Sequence, residues 1–356
     1  MKNNFSHCKK LFLVLVAIAL AACASNFLLK LYGTVEIIQG YYPYWLTKTT
    51  PPSDIDLTKL THLSHAFIWP KVNGEIGGPT TFNIKEFVDT AKKNNVVPLV
   101  CIGDSEANKN LPSVLNSTLT RKVFVKNLRN FIVDYGYKGV ELDWEFPTSK
   151  LDGENITKFI KELRQELGTS YTINVIVAGS QYCGSQYYEV DKLLPLVSHF
   201  VLMTYDYGGT WSKTAAHNVP LYGDRYESCF SAGVEYWLGR GVPPRKIIAG
   251  LAFYGRSFDA YAPGQAFTKS ESVTIANLYA VQKNYERLWD SKYMCSYFKH
   301  KTEKKYVSCD DPASFGYKMK FIKEKGCKGV MIWHVGGDLI APKKHVVLQH
   351  IFDQAK

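Results

Sequence analysis

Short apolar runs alternate with amphipathic stretches along most of this chain, from Val35 onward. The runs are rich in Val, Ile, Leu and aromatic residues, which is typical of strands buried on both faces in a parallel sheet; they cover residues 35–41, 60–68, 96–102, 139–143, 171–178, 200–205, 247–253 and 329–334. Between them, apolar residues recur at helical spacing, in residues 83–93, 118–135, 156–167, 190–197, 230–240 and 313–325. Eight such alternations predict an α/β fold, a closed (β/α)8 TIM barrel in which parallel strands are wrapped by helices.

The regular spacing is interrupted once, before the last run. About 75 residues separate Phe253 from Gly329, which is enough for a small module ahead of the final helix. This stretch is aromatic and basic, and it predicts an insertion at about 259–310, between the seventh and eighth strands of the barrel. The sequence contains no low-complexity linker and no second independent core. We therefore expect residues 33–356 to form one barrel with one insertion.

Residues 1–24 have the composition of a targeting segment. Lys9 and Lys10 precede an apolar run over residues 11–23 that ends in small residues, the pattern of a secretory signal peptide. The run is shorter than the roughly 20 residues that a membrane-spanning helix needs. We therefore expect a secreted, extracellular protein without a membrane span. Alternatively, the Leu-Ala-Ala-Cys of residues 20–23 resembles a bacterial lipoprotein box, in which Cys23 would carry a lipid anchor.

Exported proteins often carry disulfides, and an even set of cysteines follows the leader: Cys101, Cys183, Cys229, Cys295, Cys309 and Cys327. The pairing cannot be read from sequence. Cys295 with Cys309 and Cys183 with Cys229 are plausible bridges. Asn116 and Asn155 each begin a possible glycosylation tripeptide. No Cys-x-x-Cys pair or clustered His spacing indicates a metal site, and we expect no cofactor.

The formal net charge of +11 includes lysines of the leader, and the remaining basic residues are scattered along the chain. Without a long basic run or a basic helix, the sequence disfavours nucleic acid as a partner. A chain with 46% hydrophobic residues is also too apolar to be disordered.

Residues 139–147 read Gly-Val-Glu-Leu-Asp-Trp-Glu-Phe-Pro and place an acid at every second position. Because side chains alternate across a strand, Glu141, Asp143 and Glu145 would share one face and the apolar residues the other. Acids are poor strand formers, and like charges on one face repel each other. The row therefore indicates a site where neighbouring carboxylates keep one carboxyl group protonated. A solvent-exposed edge strand is the alternative interpretation.

Other chemistry-bearing residues also fall at the ends of predicted strands, where TIM barrels carry their active sites. They are Tyr41, Phe67, Met203, Tyr205, Asp206, Tyr254, Arg256 and Trp333. Aromatic rings and carboxylates in one barrel mouth suit a carbohydrate, because apolar sugar faces stack on rings while acids act on the glycosidic oxygen.

Six sequence blocks, in the same order and at similar spacing, give the chain a resemblance to glycoside hydrolase family 18, the chitinases and their non-catalytic relatives. The blocks are Gly-Tyr-Tyr at 40–42, Ala-Phe at 66–67, Met-Thr-Tyr-Asp at 203–206, His-Asn-Val-Pro-Leu at 217–221, Tyr-Gly-Arg-Ser-Phe at 254–258 and Gly-Val-Met-Ile-Trp at 329–333. The resemblance covers nearly all of residues 35–354. It implies chitin or N-acetylglucosamine oligosaccharides as partners.

The resemblance also implies substrate-assisted catalysis, an exception to the usual scheme of two carboxylates. Glu145 would protonate the leaving oxygen while the N-acetyl carbonyl of the sugar attacks the anomeric carbon. Asp143 would hold the acetamide N–H, Tyr205 the acetamide carbonyl, and Asp206 would support the site. Glu141, which corresponds to the proton-sharing partner of Asp143, completes the catalytic set. The residues expected to bind substrate are Tyr41, Phe67, Gly103, Asp104, Met203, Trp211, Tyr254, Arg256 and Trp333.

The sequence departs from the family pattern at three places. The family motif Asp-x-x-Asp-x-Asp-x-Glu falls on Lys138, Glu141, Asp143 and Glu145. Glu141 is one methylene longer than the family's Asp, and a displacement of about an ångström can lower a rate by orders of magnitude. Lys138 also replaces an Asp, and its place at the start of the strand predicts a solvated side chain. Residues 101–105 read Cys-Ile-Gly-Asp-Ser, where the family has Ser-x-Gly-Gly and an aromatic residue.

Two functions follow from this pattern. A secreted chitinase that cleaves β-1,4-linked N-acetylglucosamine is favoured, because the terminal Glu145 that non-catalytic members commonly lose is present. A chitinase-like lectin that binds glycans without turnover is the alternative, favoured by the changes at positions 138 and 141 and in the third strand. An unrelated barrel is the least favoured interpretation.

Overall fold

The computed structural model describes residues 33–224 and 228–356, and strands and helices alternate there as predicted. With strands numbered in chain order, eight parallel strands form the barrel: β1 (Ile37–Pro43), β2 (His62–Pro70), β4 (Val97–Ile102), β5 (Gly139–Leu142), β6 (Thr172–Ala178), β7 (His199–Met203), β8 (Ile247–Ala252) and β14 (Gly329–Trp333). Strand β1 pairs with β14 through Ile37 and Gly329 and with β2 through Gln39 and His62, so the sheet closes on itself. The prediction of a (β/α)8 TIM barrel is confirmed.

The helices of the described residues lie mostly between consecutive barrel strands: α1 (Ile84–Lys93), α2 (Asp104–Asn116), α3 (Thr118–Tyr135), α4 (Lys150–Leu167), α5 (Val190–Leu193), α6 (Phe230–Gly239), α7 (Ile275–Val281), α8 (Pro312–Glu324) and α9 (Leu348–Ala355). Helix α3 has the predicted bounds, with Ser117 as its N-cap. Helix α4 begins six residues before its predicted start, because Ser149 and Asp152 form a capping box there. Helix α2 was not predicted.

Two apolar cores result from the closed sheet. The larger one lies between the strands and the surrounding helices and contains the outward residues of β5, Val140 and Leu142. The smaller one fills the inside of the barrel and includes Tyr41, Phe67 and Met331. Side chains that alternate along each strand therefore enter one core or the other, as the period of two requires.

The insertion is a small antiparallel sheet between β8 and α8. Its strands are β9 (Tyr254–Phe258), β10 (Ser270–Thr274), β11 (Tyr285–Asp290), β12 (Cys295–His300) and β13 (Tyr306–Ser308), in the spatial order β10-β9-β13-β12-β11. Just after β13, Asp310 accepts a hydrogen bond from Lys318 of α8 at 2.5 Å, and both side chains are buried. This ion pair ties the end of the insertion to the barrel. Three short antiparallel strands complete the described sheets: β3 (Ile76–Gly77), which pairs with β2, and β15 (Leu339–Ala341), which pairs with β16 (Lys344–His345).

The two predicted disulfides are absent from the structure, since all six cysteines in the described residues are free. Strands β12 and β13 pair Tyr297 with Ser308, and continuing this register sets Ser296, not Cys295, opposite Cys309. Cys295 is therefore offset by one residue from the position opposite Cys309. Cys183 is exposed whereas Cys229 is buried.

Other predictions about export fall partly outside the described residues. The predicted leader at residues 1–24 and the alternative of a lipid anchor at Cys23 lie outside the described residues. Asn155 is buried and its amide donates to Asn116, which argues against a glycan on Asn155 in the folded chain, whereas Asn116 is exposed. Among the helices of residues 33–224 and 228–356, none is long and apolar enough to cross a membrane.

Candidate active site

The three acids of residues 139–147 form a column from the barrel interior to its mouth. Glu141 is fully buried inside the barrel, Asp143 is 5% exposed just beyond the end of β5, and Glu145 is exposed at the mouth. On the opposite face Val140, together with Leu142 and Trp144, packs in the outer core. The alternation predicted from the sequence is therefore present, and the interpretation as an exposed edge strand is wrong.

Glu141 is held by donors from three other strands. Its Oε1 accepts hydrogen bonds from Gln39 Nε2 at 2.8 Å and Asn174 Nδ2 at 2.9 Å, and its Oε2 accepts from Ser64 Oγ at 2.6 Å and from Gln39 Nε2 at 2.9 Å. Asn174 can aim its amide this way because its Oδ1 faces His199 Nδ1 at 3.1 Å. The Glu141 carboxylate, predicted to be catalytic, thus lies below the cleft. It can act there only through its neighbours.

Burial and hydrogen bonding oppose each other at Glu141. Burial raises the pKa of its carboxyl group, and the donors Asn174, Ser64 and Gln39 lower it, with a net rise. Asp143 has a pKa well above its ordinary value, first because it is buried and then because Glu145 and Glu141 are close. Asp143 Oδ1 is buried and has no hydrogen-bond partner among the described residues.

Glu145 lies in the wall of the mouth, and its backbone is fixed by a neighbouring helix. Its N–H donates to Asn108 Oδ1 of α2 at 2.9 Å. Partial removal from solvent and then the negative charge of Asp206 raise the pKa of its carboxyl group. A carboxylic acid that stays protonated towards neutral pH can serve as a general acid.

Tyr205 and Asp206 follow β7 on the side of the mouth next to Glu145. Within the described residues, the only hydrogen-bond partner of the Tyr205 hydroxyl is Met331 Sδ at 4.0 Å, a weak acceptor. Asp206 accepts a hydrogen bond from Arg256 Nη2 at 2.8 Å. The Arg256 guanidinium in turn lies 5.0 Å from the ring centroid of Trp211 and 5.5 Å from that of Tyr254. These predicted substrate-binding residues therefore form one connected wall.

Trp333 forms the centre of an aromatic floor. Its ring centroid lies 5.6 Å from Phe67, 5.8 Å from Tyr41 and 6.2 Å from Trp45. Tyr41 is fully buried in the inner core, so it supports the floor from below, whereas Trp45 is 45% exposed. Such a surface suits the apolar face of a sugar ring.

Gly103 and Asp104 lie beside this floor, at the end of β4. A Cβ on Gly103 would meet the Phe67 ring at 2.5 Å and Asp143 Oδ2 at 3.2 Å, so only glycine fits. Asp104 begins helix α2 with φ +80°.

Lys138, by contrast, is exposed at the opposite end of β5, which agrees with the solvated position expected for it.

The mouth opens into a cavity of about 510 Å³ lined by Glu145, Met203, Tyr205, Asp206 and Trp211, together with Tyr182. A groove of about 650 Å³ on the outside of the barrel, next to α8 and α9, is larger, but no carboxylate lines it. No group of three or more His, Cys, Asp and Glu side chains in the described part of the chain could hold a metal ion.

Sequence reasoning missed the partners of the acid column. Gln39, Ser64 and Asn174 bind Glu141, and Asn108 fixes Glu145. The available signal was a polar residue at an inward position of an apolar strand. Gln39, for example, precedes Tyr41 by two residues and shares its face.

A parallel barrel with acids and aromatic rings at its mouth defines this chain as a TIM-barrel protein of the glycoside hydrolase type. The sequence profile described as "Glycosyl hydrolases family 18" matches residues 37–338, and the chain belongs to this family.

The similar proteins carry chitinase names. Chitinase A1 of Niallia circulans is 27% identical over 85% of this chain and 56% of its own length, and chitotriosidase-1 of Mus musculus is 31% identical over 60% of this chain and 52% of its own. The chain thus spans about half the length of these two relatives. Among solved structures, the Ostrinia furnacalis Group IV chitinase superposes with a TM-score of 0.82 at 25% identity, over 90% of this chain and 99% of that one. The same type of chitinase in complex with allosamidin gives a TM-score of 0.81 at 26% identity, over 89% of this chain and 97% of that one.

Proposed function

We propose that the protein is a secreted chitinase that hydrolyses β-1,4-linked N-acetylglucosamine by substrate-assisted, retaining catalysis. Family membership, the chitinase names of its relatives and the acids at the barrel mouth support this activity. The signal-peptide pattern of residues 1–24 supports action outside the cell.

One observation carries the proposal. Two of the polar groups near Glu145 lack a good partner among the described residues: Asp143 Oδ1, a buried acceptor, and the Tyr205 hydroxyl, whose only hydrogen-bond partner is a sulfur at 4.0 Å. Buried polar groups are normally paired. An acetamide has one N–H for the aspartate and one carbonyl for the tyrosine, so an N-acetyl group would satisfy both.

The proposed mechanism assigns each step to these residues. Asp143 and Tyr205 orient the acetamide of the substrate so that its carbonyl oxygen forms a bond with the anomeric carbon. Glu145 donates its proton to the glycosidic oxygen as the bond to the leaving sugar breaks. The ionised Glu145 then takes a proton from a water molecule while the water oxygen attacks the anomeric carbon. This step breaks the bond to the acetamide oxygen and restores the protonated Glu145. Trp333 carries the reacting sugar on its face.

A lectin without turnover is the second candidate, and the surroundings of Glu141 favour it. The carboxylate of Glu141 is bound by Gln39, Ser64 and Asn174, so it is not free to share a proton with Asp143. Such a site binds an acetamide, but Glu141 does not exchange a proton with Asp143 and the reaction does not proceed.

Hydrolysis of a chromogenic chitobioside by the purified mature protein separates the two candidates. We expect turnover by the wild type and a loss of about 10²–10⁴-fold in Glu145→Gln, which cannot donate the proton. Glu106→Gln, which neutralises an exposed acid of α2, is the matched control and should keep wild-type turnover. Binding of chitin oligomers, measured by calorimetry, should persist in both variants.

Equal, background-level rates for the wild type and Glu145→Gln, with binding retained, would leave the lectin as the function. In that case Glu141→Asp tests whether the extra methylene is responsible. The shorter side chain cannot keep all its donors, and a gain of turnover in this variant would identify position 141 as the block.

A further inference from the structure

Asp104 is a half-buried carboxylate at the barrel mouth that forms no ion pair with any described residue. It directly follows Gly103, which packs against Phe67 and Asp143. Asp104 therefore lies next to the acid column. Asp206, another acid of the mouth, differs from it because it forms an ion pair with Arg256.

Local hydrogen bonds hold Asp104 in place. Its φ of +80° lies in the left-handed region, which is unusual for a residue with a side chain. Its Oδ1 accepts from the N–H of Ser105 at 2.5 Å and from Ser105 Oγ at 3.0 Å. Its Oδ2 has only a long contact of 3.4 Å, with the hydroxyl of Tyr44. Residues held in rare backbone conformations cluster at ligand sites, and Oδ2 can still accept a strong hydrogen bond.

A row of rings connects the floor of the site with this carboxylate. Trp333 lies 6.2 Å from Trp45, Trp45 lies 5.1 Å from Tyr44, and the Tyr44 hydroxyl contacts Asp104. These rings meet edge to face, at interplanar angles of 66° and 81°. A sugar bound beside the one on Trp333, on the side of Trp45, would therefore lie towards Asp104.

The chemistry of that neighbouring sugar decides whether Asp104 helps or hinders. A neutral acetamide forms no ion pair with Asp104. A sugar that covers the carboxylate also removes some of its hydration, which costs binding free energy. A protonated 2-amino group would instead form a charge-assisted hydrogen bond with the free Oδ2 of Asp104. The reacting sugar itself must keep its acetyl group, because that group supplies the nucleophile.

We propose that Asp104 is a specificity-determining residue that favours partly deacetylated chitin, with an N-acetylglucosamine at the reacting position and a cationic glucosamine beside it. This inference rests on the proposed function and extends it to a substrate class.

The test compares two neutral variants on two substrates. Asp104→Asn keeps the shape of the side chain, and Asp104→Gly removes it at a φ that glycine adopts without strain. We measure kcat/KM on partly deacetylated chitosan and on fully acetylated chitohexaose, at a mildly acidic pH that protonates the amine. In both variants, the ratio of kcat/KM on chitosan to kcat/KM on chitohexaose should fall about threefold to fivefold, as expected for the loss of an exposed ion pair. Added salt should weaken the wild-type preference.

Glu106→Gln, two residues further along α2, is the control and should leave the ratio of the two substrates unchanged. Equal effects of Asp104→Asn on both substrates, or no effect on either, would overturn the inference while the proposed function stands. A wild type that cleaves neither substrate would overturn the proposed function, and calorimetric binding then decides about Asp104. Selective loss of affinity for glucosamine-containing oligomers supports the inference, and an unchanged affinity rejects it.

Discussion

Single residues in the middle of the barrel carry the electrostatics of the site. Glu141 is one methylene longer than the acid expected from the family pattern, and its carboxylate is surrounded by donors of Gln39, Ser64 and Asn174. The sequence predicted the acid column and the residues at the strand ends. It could not predict these three donors, because they meet only when β1, β2 and β6 are brought together around the closed barrel.

The charge of Asp206 should influence the basic limb of the pH profile. Burial first, and then the charge of Asp206, raises the pKa of Glu145, which must be protonated to act as the acid. Replacing Asp206 with Asn removes this negative charge and leaves Arg256 unopposed, so the pKa of Glu145 falls. We expect the basic limb of kcat/KM for a chromogenic chitobioside to move to lower pH, by about half a pH unit or more.

Asp89→Asn provides the control, because Asp89 pairs with Lys85 on the outer face of α1. Its basic limb should coincide with that of the wild type. A shift of the limb to higher pH in Asp206→Asn would contradict the assigned role of the Asp206 charge.

At the scale of elements, the barrel strands were predicted to within about two residues, because strands buried on both faces have an unmistakable apolar composition. Helix α2 was missed, since its sequence is polar at the start and contains Pro112. This helix begins at Asp104, and its Asn108 binds the backbone of Glu145. One of the elements that position the site was therefore not predicted.

The junction of β4 and α2 should tolerate no side chain at Gly103. In Gly103→Ala the new methyl group would meet Phe67 and crowd Asp143. We expect the free energy of unfolding to fall by about 1–3 kcal/mol, as for other overpacked sites, and chitobioside hydrolysis to fall at least tenfold, since about an ångström of displacement suffices for that. Urea unfolding and steady-state kinetics measure the two effects.

A matched glycine lies at the end of α6. A Cβ on Gly239 would meet no atom within 4 Å, so Gly239→Ala should leave activity unchanged and stability equal or higher by up to about 1 kcal/mol. Similar losses in the two variants would show that the space at Gly103 is not what matters.

For the molecule as a whole, the insertion is fastened to the barrel by a buried ion pair rather than by a disulfide. Asp310 and Lys318 are almost fully buried, 2.5 Å apart. The sequence showed the insertion through its uneven spacing. It also suggested bridging cysteines that the structure leaves free, because cysteine spacing does not reveal which thiols come within bonding distance.

Removing one partner of this pair should destabilise the whole protein. Lys318→Met leaves the buried carboxylate of Asp310 uncompensated, and we expect a loss of about 3–5 kcal/mol in the free energy of unfolding. The double variant Lys318→Met, Asp310→Asn carries no unpaired charge and should recover much of this loss. Urea unfolding of both variants checks the prediction, and a double variant no more stable than the single one would refute it.

The seam between β1 and β14 has a consequence for biosynthesis. Ile37 pairs with Gly329, which lies 292 residues later in the sequence. The ribosome must therefore have made every strand of the barrel before this edge can pair, and the nascent sheet has an open side until then. Late closure of a long loop slows folding, so the unpaired edge of β1 stays open to other chains until β14 has been synthesised.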